Sequence, residues 1–380
     1  MQDLPDHCWV RDAAALAELA AALGEAPWVA LDSESNSMFV YRERVCLIQL
    51  NVGGALWLID PFALAESAEP SAQTEVLAPL AAPLADPALR VWVHGGEYDV
   101  ACLKRDYELR FANLFDTQQA ASFLGWQRTG YAAVVEAVCG VPLKKEHTQY
   151  DWGQRPIGAE PLRYALNDVI HLPEVGAELR SLIRAADLEE ELELANRSVE
   201  QAAAHDNSFD LARMWKLKGV GDLRRDALGV LAALYTWRDQ KGRELDHPPG
   251  RLIANQPLVH LAQRAPTDRQ ALRRVRLRAS FVREYGGELI EVIKNAQAEP
   301  PTVPERAKRN RLPPTQAARD KALRSWRREE AERRELPAHV ILPPRALEWL
   351  VTHGVETIED CPELGGKRIA RYGATLRELM

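Results

Sequence analysis

Acidic side chains stand at three separate places in this chain, each beside a run of apolar residues. Asp32 and Glu34 end the run WVALDSE, Asp99 follows VWVHGGEY, and Asp168 lies in LRYALNDVIHL, four residues after Tyr164. Carboxylates that gather in one place repel one another unless a cation offsets their charge. Oxygen ligands without a Cys/His cluster favour Mg²⁺ or Mn²⁺ over zinc. The pattern therefore predicts a site for two divalent metal ions, which commonly serve phosphodiester cleavage.

The spacing of these residues suits a shared site. Residues i and i+2 of a strand point to the same face, so Asp32 and Glu34 can meet one metal ion. Tyr164 and Asp168 share one face of a helix, and Asp99 lies in the first turn of another, where the helix dipole favours an acid. Each feature alone is also common in ordinary protein structure. Their occurrence in this order is far more specific than any single one.

A sheet with flanking helices must hold these side chains. The pattern predicts an opening helix over DAAALAELAAALGEAP and strands over WVALDSE, VCLIQLNV, ALWLID, RVWVH and FANLF, with Gly53-Gly54 as a hairpin turn between the second and third strands. Helices follow over EYDVACLKRDY, GYAAVVEAVCG and EPLRYALNDVIHLPEVGAELRSLIRA. A meander of three strands, followed by strands that alternate with helices, predicts an α/β fold with a mixed, ribonuclease-H-like sheet.

From about residue 206 the strand signals nearly vanish, and an internal repeat appears in a helical pattern. Leu234-x-x-Trp237-Arg238 recurs as Leu323-x-x-Trp326-Arg327, and Tyr285-Gly286-x-x-Leu289 recurs as Tyr372-Gly373-x-x-Leu376. Matches in the same order at nearly constant spacing indicate duplicated small helical domains. We expect a catalytic domain over residues 1–205 and helical domains over 206–298 and 316–380. The stretch 299–315, rich in proline and charge, is typical of a linker.

Charge is distributed unevenly along the chain. Residues 1–200 hold 15 Lys and Arg against 31 Asp and Glu, whereas the remainder holds 33 against 24. A basic half is a hint of nucleic-acid contact. Five dispersed cysteines fit reduced cytosolic thiols, and no apolar run approaches the length of a membrane span. We therefore expect a cytoplasmic protein that works away from membranes, with no obligate protein partner.

Together the acidic residues and their surroundings resemble the DEDD exonuclease superfamily, in its tyrosine-containing branch, and within it the ribonuclease D family. The motifs that carry this resemblance are Asp32-Ser33-Glu34, VCLIQL at 45–50, Asp60-Pro61, His94-Gly95-Gly96-Glu97-Tyr98-Asp99, Phe115-Asp116-Thr117-Gln118, Asp151-Trp152-x-x-Arg155-Pro156 and Tyr164-x-x-x-Asp168. The helical repeats resemble the helicase-and-ribonuclease-D C-terminal (HRDC) domain. Ser33 stands where many relatives have Thr, and the sequence after Ser35 departs from the aromatic continuation common among them.

This resemblance implies a 3′-to-5′ exoribonuclease that trims the 3′ ends of structured RNA, chiefly tRNA precursors, and releases nucleoside 5′-monophosphates. It implies that Asp32, Glu34, Asp99 and Asp168 hold two Mg²⁺ or Mn²⁺ ions and that Tyr164 orients the attacking water. A phenol with a pKa near 10 is a poor base at neutral pH, so positioning is the better role for Tyr164.

Several further residues are candidates for contact with RNA. Lys144, Lys145 and Arg155 could meet phosphates near the acidic site, and Met38, Phe39 and Tyr41 could stack on terminal bases. In the helical half the densest basic run includes Arg273, Arg274 and Arg276, and the second repeat offers Lys367, Arg368 and Arg371. Ordinary surface charge and core packing are the competing explanations for all of these residues.

Two other functions stay open from the sequence alone. A DNA-directed 3′-to-5′ exonuclease of the same fold would use the same acids, and the tandem helical repeats argue against it without excluding it. A non-catalytic RNA-binding scaffold could also retain the fold. That scaffold is disfavoured because all four acids and Tyr164 are present.

Overall fold

The computed structural model describes residues 4–67, 75–144, 149–306, 312–354, 356, 358–361 and 363–379. The chain forms two compact units. One contains the described residues of Met1–Ser35, Val45–His205 and Arg311–Met380, and the other contains those of Asn36–Arg44 and Asp206–Asn310. The segment after residue 311 thus packs with the unit that carries the acidic residues. The division into three domains at the boundaries predicted above stays a prediction.

A six-stranded mixed sheet forms the centre of the first unit. Its strands are β1 (Cys8–Val10), β2 (Trp28–Ser35), β3 (Val45–Val52), β4 (Ala55–Ile59), β5 (Arg90–Val93) and β6 (Leu114–Asp116), in the order β1-β4-β3-β2-β5-β6. β2, β3 and β4 pair antiparallel, whereas β5 pairs parallel to β2 and β6, and β1 pairs parallel to β4. The predicted α/β class with a mixed sheet is confirmed.

β3 lies in the middle of the sheet and is buried along its whole length. Its sequence, VCLIQLNV, is accordingly apolar at nearly every position instead of alternating, as expected for a strand that is covered on both faces. The hairpin between β3 and β4 turns at Gly53 and Gly54, which both have positive φ. That conformation is the one glycine adopts without a steric cost.

One strand and one helix break were not expected. β1 has only three residues, and its partner β4 lies some fifty residues away, so no local pattern marks it. The helix expected across EPLRYALNDVIHLPEVGAELRSLIRA is two helices, which meet at His171. Pro173 lies at the start of the second one, where its missing N–H has no intrahelical partner to lose.

Helices cover both faces of the sheet and continue into the helical segments. In the first unit they are α1 (Ala13–Glu25), α2 (Pro61–Ser67), α3 (Ala81–Leu84), α4 (Glu97–Tyr107), α5 (Thr117–Phe123), α6 (Tyr131–Cys139), α7 (Ala159–Ile170), α8 (Leu172–Ala185) and α9 (Glu189–Glu200). The second unit contains α10 (Arg225–Glu244), α11 (Pro249–Leu252), α12 (Asn255–Arg264), α13 (Arg269–Leu272) and α14 (Ala279–Ala298). The last segment adds α15 (Pro314–Arg334), α16 (Ala338–Ile341), α17 (Pro344–His353) and α18 (Gly365–Glu378) to the first unit. Among the described helices, none has the length and apolar character needed to cross a lipid bilayer.

The repeated sequence motif builds the same packing twice. Trp237 meets Tyr285 edge to face at 6.3 Å in the second unit, and Trp326 meets Tyr372 in the same way at 5.2 Å in the last segment. The arginine after each tryptophan donates a hydrogen bond to a backbone carbonyl in both copies. Arg238 donates to the carbonyl of Ile253, and Arg327 donates to that of Ala338. The internal repeat is therefore a repeat of core structure.

The basic residues of the second repeat have acidic or carbonyl partners within the protein. Lys367 pairs with Asp187 at 2.6 Å, and its backbone N–H donates to Glu190 at 3.0 Å. Arg371 lies 3.6 Å from Asp187, while Arg368 is 1% exposed and donates to three backbone carbonyls. These contacts hold α18 against the acidic start of α9. Arg368 is thus too buried to offer RNA a surface, while contact of Lys367 and Arg371 with RNA stays a prediction.

Candidate active site

Three of the predicted metal ligands lie together. Carboxylate oxygens of Asp32 and Glu34, on β2, and of Asp168, on α7, are all within 4.8 Å of one another. The two β2 residues face the same side of the sheet because they are separated by one residue. α7 packs against β2 and β3 and brings Asp168 to that side. Side chains more than 130 residues apart in sequence therefore converge on one point.

Asp99 lies next to this cluster of three, and a serine holds its carboxylate. The Ser33 hydroxyl donates to Asp99 Oδ1 at 2.5 Å. Ser33 stands between Asp32 and Glu34, so the strand that carries two predicted ligands also holds a third. Asp99 still lies close enough to raise the pKa of Asp32, Glu34 and Asp168. Its place beside the site is set by a short, charge-assisted hydrogen bond to the same strand.

A glycine turn and a buried aspartate set the start of α4, which carries Asp99. Gly95 has a φ of +66°, and a Cβ on Gly96 would lie 2.7 Å from Val93 Cγ2. Asp116, at the end of β6, accepts from the backbone N–H groups of both glycines, at 2.8 and 3.0 Å. Asp116 also caps α5 by accepting from Gln118 N. One carboxylate thus joins the beginnings of two helices.

The position of α7 depends on two contacts that sequence reasoning missed. The Tyr131 hydroxyl donates to the carbonyl of Asn167 at 3.1 Å, directly before Asp168. Asn51 Nδ2 donates to the carbonyl of Val169 at 3.3 Å, directly after it. Both contacts join a side chain to a distant backbone carbonyl, so nothing in the local pattern predicts them. Together they fix the turn of α7 that presents Asp168.

His94 supports the same region as a neutral ring. Its Nδ1 lies 2.8 Å from Thr117 Oγ1, and its ring meets that of Tyr131 edge to face at 5.2 Å. Since the Thr117 hydroxyl donates to the carbonyl of Val93, His94 Nδ1 carries the proton that Thr117 accepts. Burial lowers the pKa of His94 to about 4. This residue is therefore suited to packing and orientation instead of proton transfer.

Burial and mutual repulsion raise the pKa of every acid in the site. Burial is the largest cause in each case, and neighbouring carboxylates add to it. The pKa of Asp168 rises to about 7 and that of Glu34 to about 9. The pKa of Asp32 lies well above its ordinary value, and that of Asp99 is raised despite the hydrogen bond from Ser33. Without a cation, the site holds protons that carboxyl groups in water would have lost.

Tyr164 borders the acidic cluster and keeps its proton. Its pKa is raised by burial and then by the charges of Asp168, Glu34 and Asp32. Its ring lies 6.3 Å from that of Trp152. A phenol in this setting donates a hydrogen bond and does not act as a base near neutral pH.

The donor set fits divalent metal ions with oxygen ligands. Asp32, Glu34 and Asp168 supply converging carboxylates, and Asp99 adds a fourth beside them. Hard cations such as Mg²⁺ and Mn²⁺ prefer such ligands, and their charge would remove the repulsion that raises these pKa values. The residues present therefore match the metal dependence of the exonuclease families that the sequence resembles.

The predicted phosphate contacts near the site have different surroundings. Lys144 is exposed, whereas Lys145 lies outside the described residues. Arg155 donates through all five of its N–H groups to protein acceptors, which are the carboxylate of Asp60 and the carbonyls of Cys46, Trp152 and Gln154. Burial acts to raise the pKa of Asp60, but Arg155 holds it below the ordinary value. A phosphate at Arg155 would have to displace one of these acceptors.

The remaining predicted substrate contacts belong to the second unit. Met38 is exposed, and the ring of Phe39 lies under the guanidinium of Arg251 at 4.9 Å. Arg273, Arg274 and Arg276 are all exposed, because the buried residues between and beside them, Leu272 and Val275, anchor that segment in the core. The three arginines are thus open to solvent, while their contact with RNA stays a prediction.

Comparisons with known proteins assign both parts of the chain to families. Residues 8–184 match the 3′-5′ exonuclease family, and residues 227–293 and 316–379 each match the HRDC domain family. The exonuclease match contains all four acids and Tyr164. The two HRDC matches coincide with the two copies of the internal repeat.

Individual relatives extend over nearly the whole chain. Ribonuclease D of Pseudomonas paraeruginosa is 30% identical over 382 residues, which cover 98% of this chain and 97% of the relative. The crystal structure of Escherichia coli RNase D, an exoribonuclease involved in structured RNA processing, has a TM-score of 0.68 and 26% identity, with 98% of each chain covered. A protein from Bifidobacterium adolescentis has a TM-score of 0.78 at 21% identity, covers 99% and 97% of the two chains, and shows the likeness of fold alone.

Metal binding should stabilise this protein more at pH 8 than at pH 5. Glu34 and Asp168 have raised pKa values in the fold, near 9 and 7, but ordinary values near 4 in the unfolded chain. The metal-free fold therefore binds more protons than the unfolded chain between about pH 4 and 9, and its stability falls as pH rises through that window. Metal ions replace those protons. We expect a larger rise in Tm on adding Mn²⁺ at pH 8, measured by differential scanning fluorimetry at constant ionic strength.

The matched control for that experiment is Asp168→Asn, which removes one ligand and one raised pKa together. It should show a smaller metal-induced rise in Tm at both pH values. If Mn²⁺ raised the Tm of the unsubstituted protein equally at pH 5 and pH 8, protons and metal ions would not compete for these carboxylates.

Ser33→Ala should weaken metal binding, because Asp99 loses the hydroxyl that holds its carboxylate. Loss of a group that orients a metal ligand typically costs about 10- to 100-fold in metal affinity or activity. Ser33→Thr keeps the hydroxyl and should stay within about twofold of the unsubstituted protein. Isothermal titration with Mn²⁺ measures both variants. If the alanine and threonine variants bound metal equally well, Ser33 would have no part in positioning Asp99.

Proposed function

This chain belongs to the ribonuclease D family of 3′-5′ exoribonucleases, and on that premise we propose that it trims 3′ extensions from structured RNA, chiefly tRNA precursors. We propose further that it uses two Mg²⁺ or Mn²⁺ ions and releases nucleoside 5′-monophosphates. The observation that carries the proposal is the convergence of Asp32, Glu34 and Asp168 within 4.8 Å, with Asp99 and Tyr164 beside them.

The roles of the residues follow from this geometry. When bound, the metal ions would supply a polarised water and would stabilise the negative charge on the leaving 3′ oxygen. Asp32, Glu34, Asp99 and Asp168 would hold those ions. Only their ionised forms carry the negative charge that a metal ion binds, so protonation and metal binding oppose each other.

Tyr164 is suited to orienting the attacking water. Its hydroxyl stays protonated because burial and three neighbouring acids raise its pKa. A protonated phenol donates to one acceptor and also accepts, so it can fix a water molecule in one direction. Orientation of this kind lowers the entropic part of the barrier.

RNA of the tRNA-precursor class is supported by the family and by the charge of the helical part. The relative from Escherichia coli acts in structured RNA processing. In this chain Arg273, Arg274 and Arg276 form an exposed basic surface in the second unit. Such a surface binds phosphates without sequence preference. The cytoplasmic location inferred from the dispersed cysteines stays a prediction.

Asp32→Asn should reduce the release of mononucleotides by more than about 100-fold, because loss of metal charge in the transition state is worth several kcal/mol. The substrate is a tRNA with a 3′ extension, incubated with and without Mg²⁺ or Mn²⁺, and the products are resolved by size. Far-UV circular dichroism checks that the variant is folded.

The products themselves test the direction of attack. A ladder of shortened RNA with nucleoside 5′-monophosphates supports trimming from the 3′ end, whereas internal fragments would contradict it. Matched RNA and DNA oligonucleotides separate the proposed activity from that of a DNA exonuclease. Absence of any metal-dependent product would favour a binding scaffold.

Replacing Arg273, Arg274 and Arg276 together by Gln should weaken binding to structured RNA and leave the cleavage of short single strands nearly unchanged. The three charges lie in the second unit, so the acidic site keeps all its residues. For each lost phosphate contact, the slope of log binding constant against log salt concentration should also become shallower by about one.

Electrophoretic shift assays at several salt concentrations measure this effect, with hydrolysis of a short oligoribonucleotide as the control. Equal losses on the tRNA and on the short strand would contradict a separate RNA-holding role for these arginines.

A further inference from the structure

The loop that connects β2 and β3 belongs to the helical unit and not to the sheet unit. Residues Asn36–Arg44 group with Asp206–Asn310, while the strands on either side of the loop belong to the first unit. This loop begins two residues after Glu34. A predicted metal ligand is thus joined by a very short stretch of chain to a segment that is held by the first HRDC domain.

The base of the loop is closed by hydrogen bonds between its own ends. Asn36 N donates to the carbonyl of Arg44 at 3.3 Å, and Arg44 N donates to Asn36 Oδ1 at 2.9 Å. Asn36 is buried, with 4% of its surface exposed. β2 and β3 remain paired as far as Ser35 and Val45, although their register shifts after Glu34. The loop therefore leaves the sheet as a closed turn and not as two separate strands.

The first residue of β3, directly after the loop, is tied to the helix that carries Asp99. Val45 N donates to Asp106 Oδ2 at 2.9 Å, and the Tyr107 hydroxyl donates to the carbonyl of Val45 at 3.1 Å. Asp106 and Tyr107 form the last turn of α4. A displacement of the loop base would thus act on β2 with Glu34 and on α4 with Asp99.

The tip of the loop is fixed to α10 by a tyrosine. The Tyr41 hydroxyl lies 2.9 Å from both carboxylate oxygens of Asp239, to which it donates, and it accepts from Arg243 Nη2 at 3.2 Å. Arg243 also pairs with Asp239 at 3.2 Å. Tyr41 N donates to Asp246 Oδ1 at 3.0 Å, and Arg251 lies over the ring of Phe39.

We propose that Tyr41 and Asp239 are positioning residues for the hydrolysis. Their hydrogen bond holds the β2–β3 loop on α10 and so keeps Glu34 and Asp99 in the geometry that binds metal. The inference rests on the proposed nuclease function. It gives the first HRDC domain a second task, separate from holding RNA. A contact outside the metal site can affect metal binding because the ligands tolerate displacements of only about 0.5 Å.

This hydrogen bond suits that task because it is charge-assisted and shielded. Asp239 is 9% exposed. Hydrogen bonds to an ionised group are shorter and about twice as strong as neutral ones. Removal of the hydroxyl leaves Asp239 with Arg243 as partner, so Tyr41→Phe should free the loop tip without leaving the buried charge unpaired.

The test compares Tyr41→Phe and Asp239→Asn with Tyr285→Phe, a control that removes a tyrosine hydroxyl from the same unit at a place away from the loop. Mn²⁺ binding is measured by isothermal titration in the absence of RNA. Hydrolysis is measured on a short single-stranded oligoribonucleotide as a function of Mn²⁺ concentration, and Tm is recorded for each variant. Metal-dependent hydrolysis by the unsubstituted protein tests the proposed function separately.

We expect Tyr41→Phe to bind Mn²⁺ about tenfold more weakly and to lower kcat by a similar factor, with KM changed by less than about twofold. Asp239→Asn leaves only a weaker, neutral acceptor for the Tyr41 hydroxyl and should act in the same direction, and the double variant should lose no more than the worse of the two single variants, because both changes act on one contact. Unchanged Mn²⁺ binding and kcat in Tyr41→Phe would overturn the proposal. An equal loss in Tyr285→Phe would overturn it too, since the effect would then reflect general loosening of the helical unit.

Discussion

Four carboxylates repel one another in the first unit, and the surrounding strands and helices must hold them together. Asp32, Glu34 and Asp168 lie within 4.8 Å of one another, with Asp99 close by, and burial raises the energy of each ionised group. Side chains would move apart if their elements could move. They cannot, because β2 is paired on both sides, α4 begins at a turn held by Asp116, and α7 is bound on both sides of Asp168 by Tyr131 and Asn51. The scaffold supplies the geometry in advance, and metal binding relieves the charge.

Most of these supports contact the backbone of the elements and not the acidic side chains. Asp116 accepts from backbone N–H groups at the start of α4, and Tyr131 and Asn51 donate to carbonyls of α7. Ser33 is the exception, since it donates to a predicted ligand itself. Support through the backbone leaves carboxylate oxygens available to a metal ion. It also ties the site to residues whose own types give no sign of a catalytic role.

The contrast between ligand side chains and backbone supports explains how far the sequence could predict the site. Asp32-x-Glu34 and Tyr164-x-x-x-Asp168 are local patterns with fixed consequences for strand and helix faces, and both consequences hold in the structure. The Asp116 cap was predictable for the same reason, but its bonds to Gly95 and Gly96 cross between elements. The sequence did not predict β1, because three residues are too few to show the alternation of a strand and its partner β4 is remote in sequence. Tyr131 escaped notice because its acceptor is a backbone carbonyl, which every residue has.

The two helical repeats show why shared core motifs do not imply a shared surface. Trp237 with Tyr285 and Trp326 with Tyr372 pack alike, yet the basic residues around them have different partners. In the second repeat Lys367 and Arg371 meet Asp187, so part of the basic excess of the C-terminal half neutralises the acidic stretch around α9. Net charge by sequence region therefore overstates the charge that is available to a polyanion. The proposed RNA surface narrows to the first repeat, whose arginines stand exposed on the same unit that holds the β2–β3 loop. The first HRDC domain thus carries both the arginines proposed to hold RNA and Asp239, the partner of Tyr41 in the β2–β3 loop.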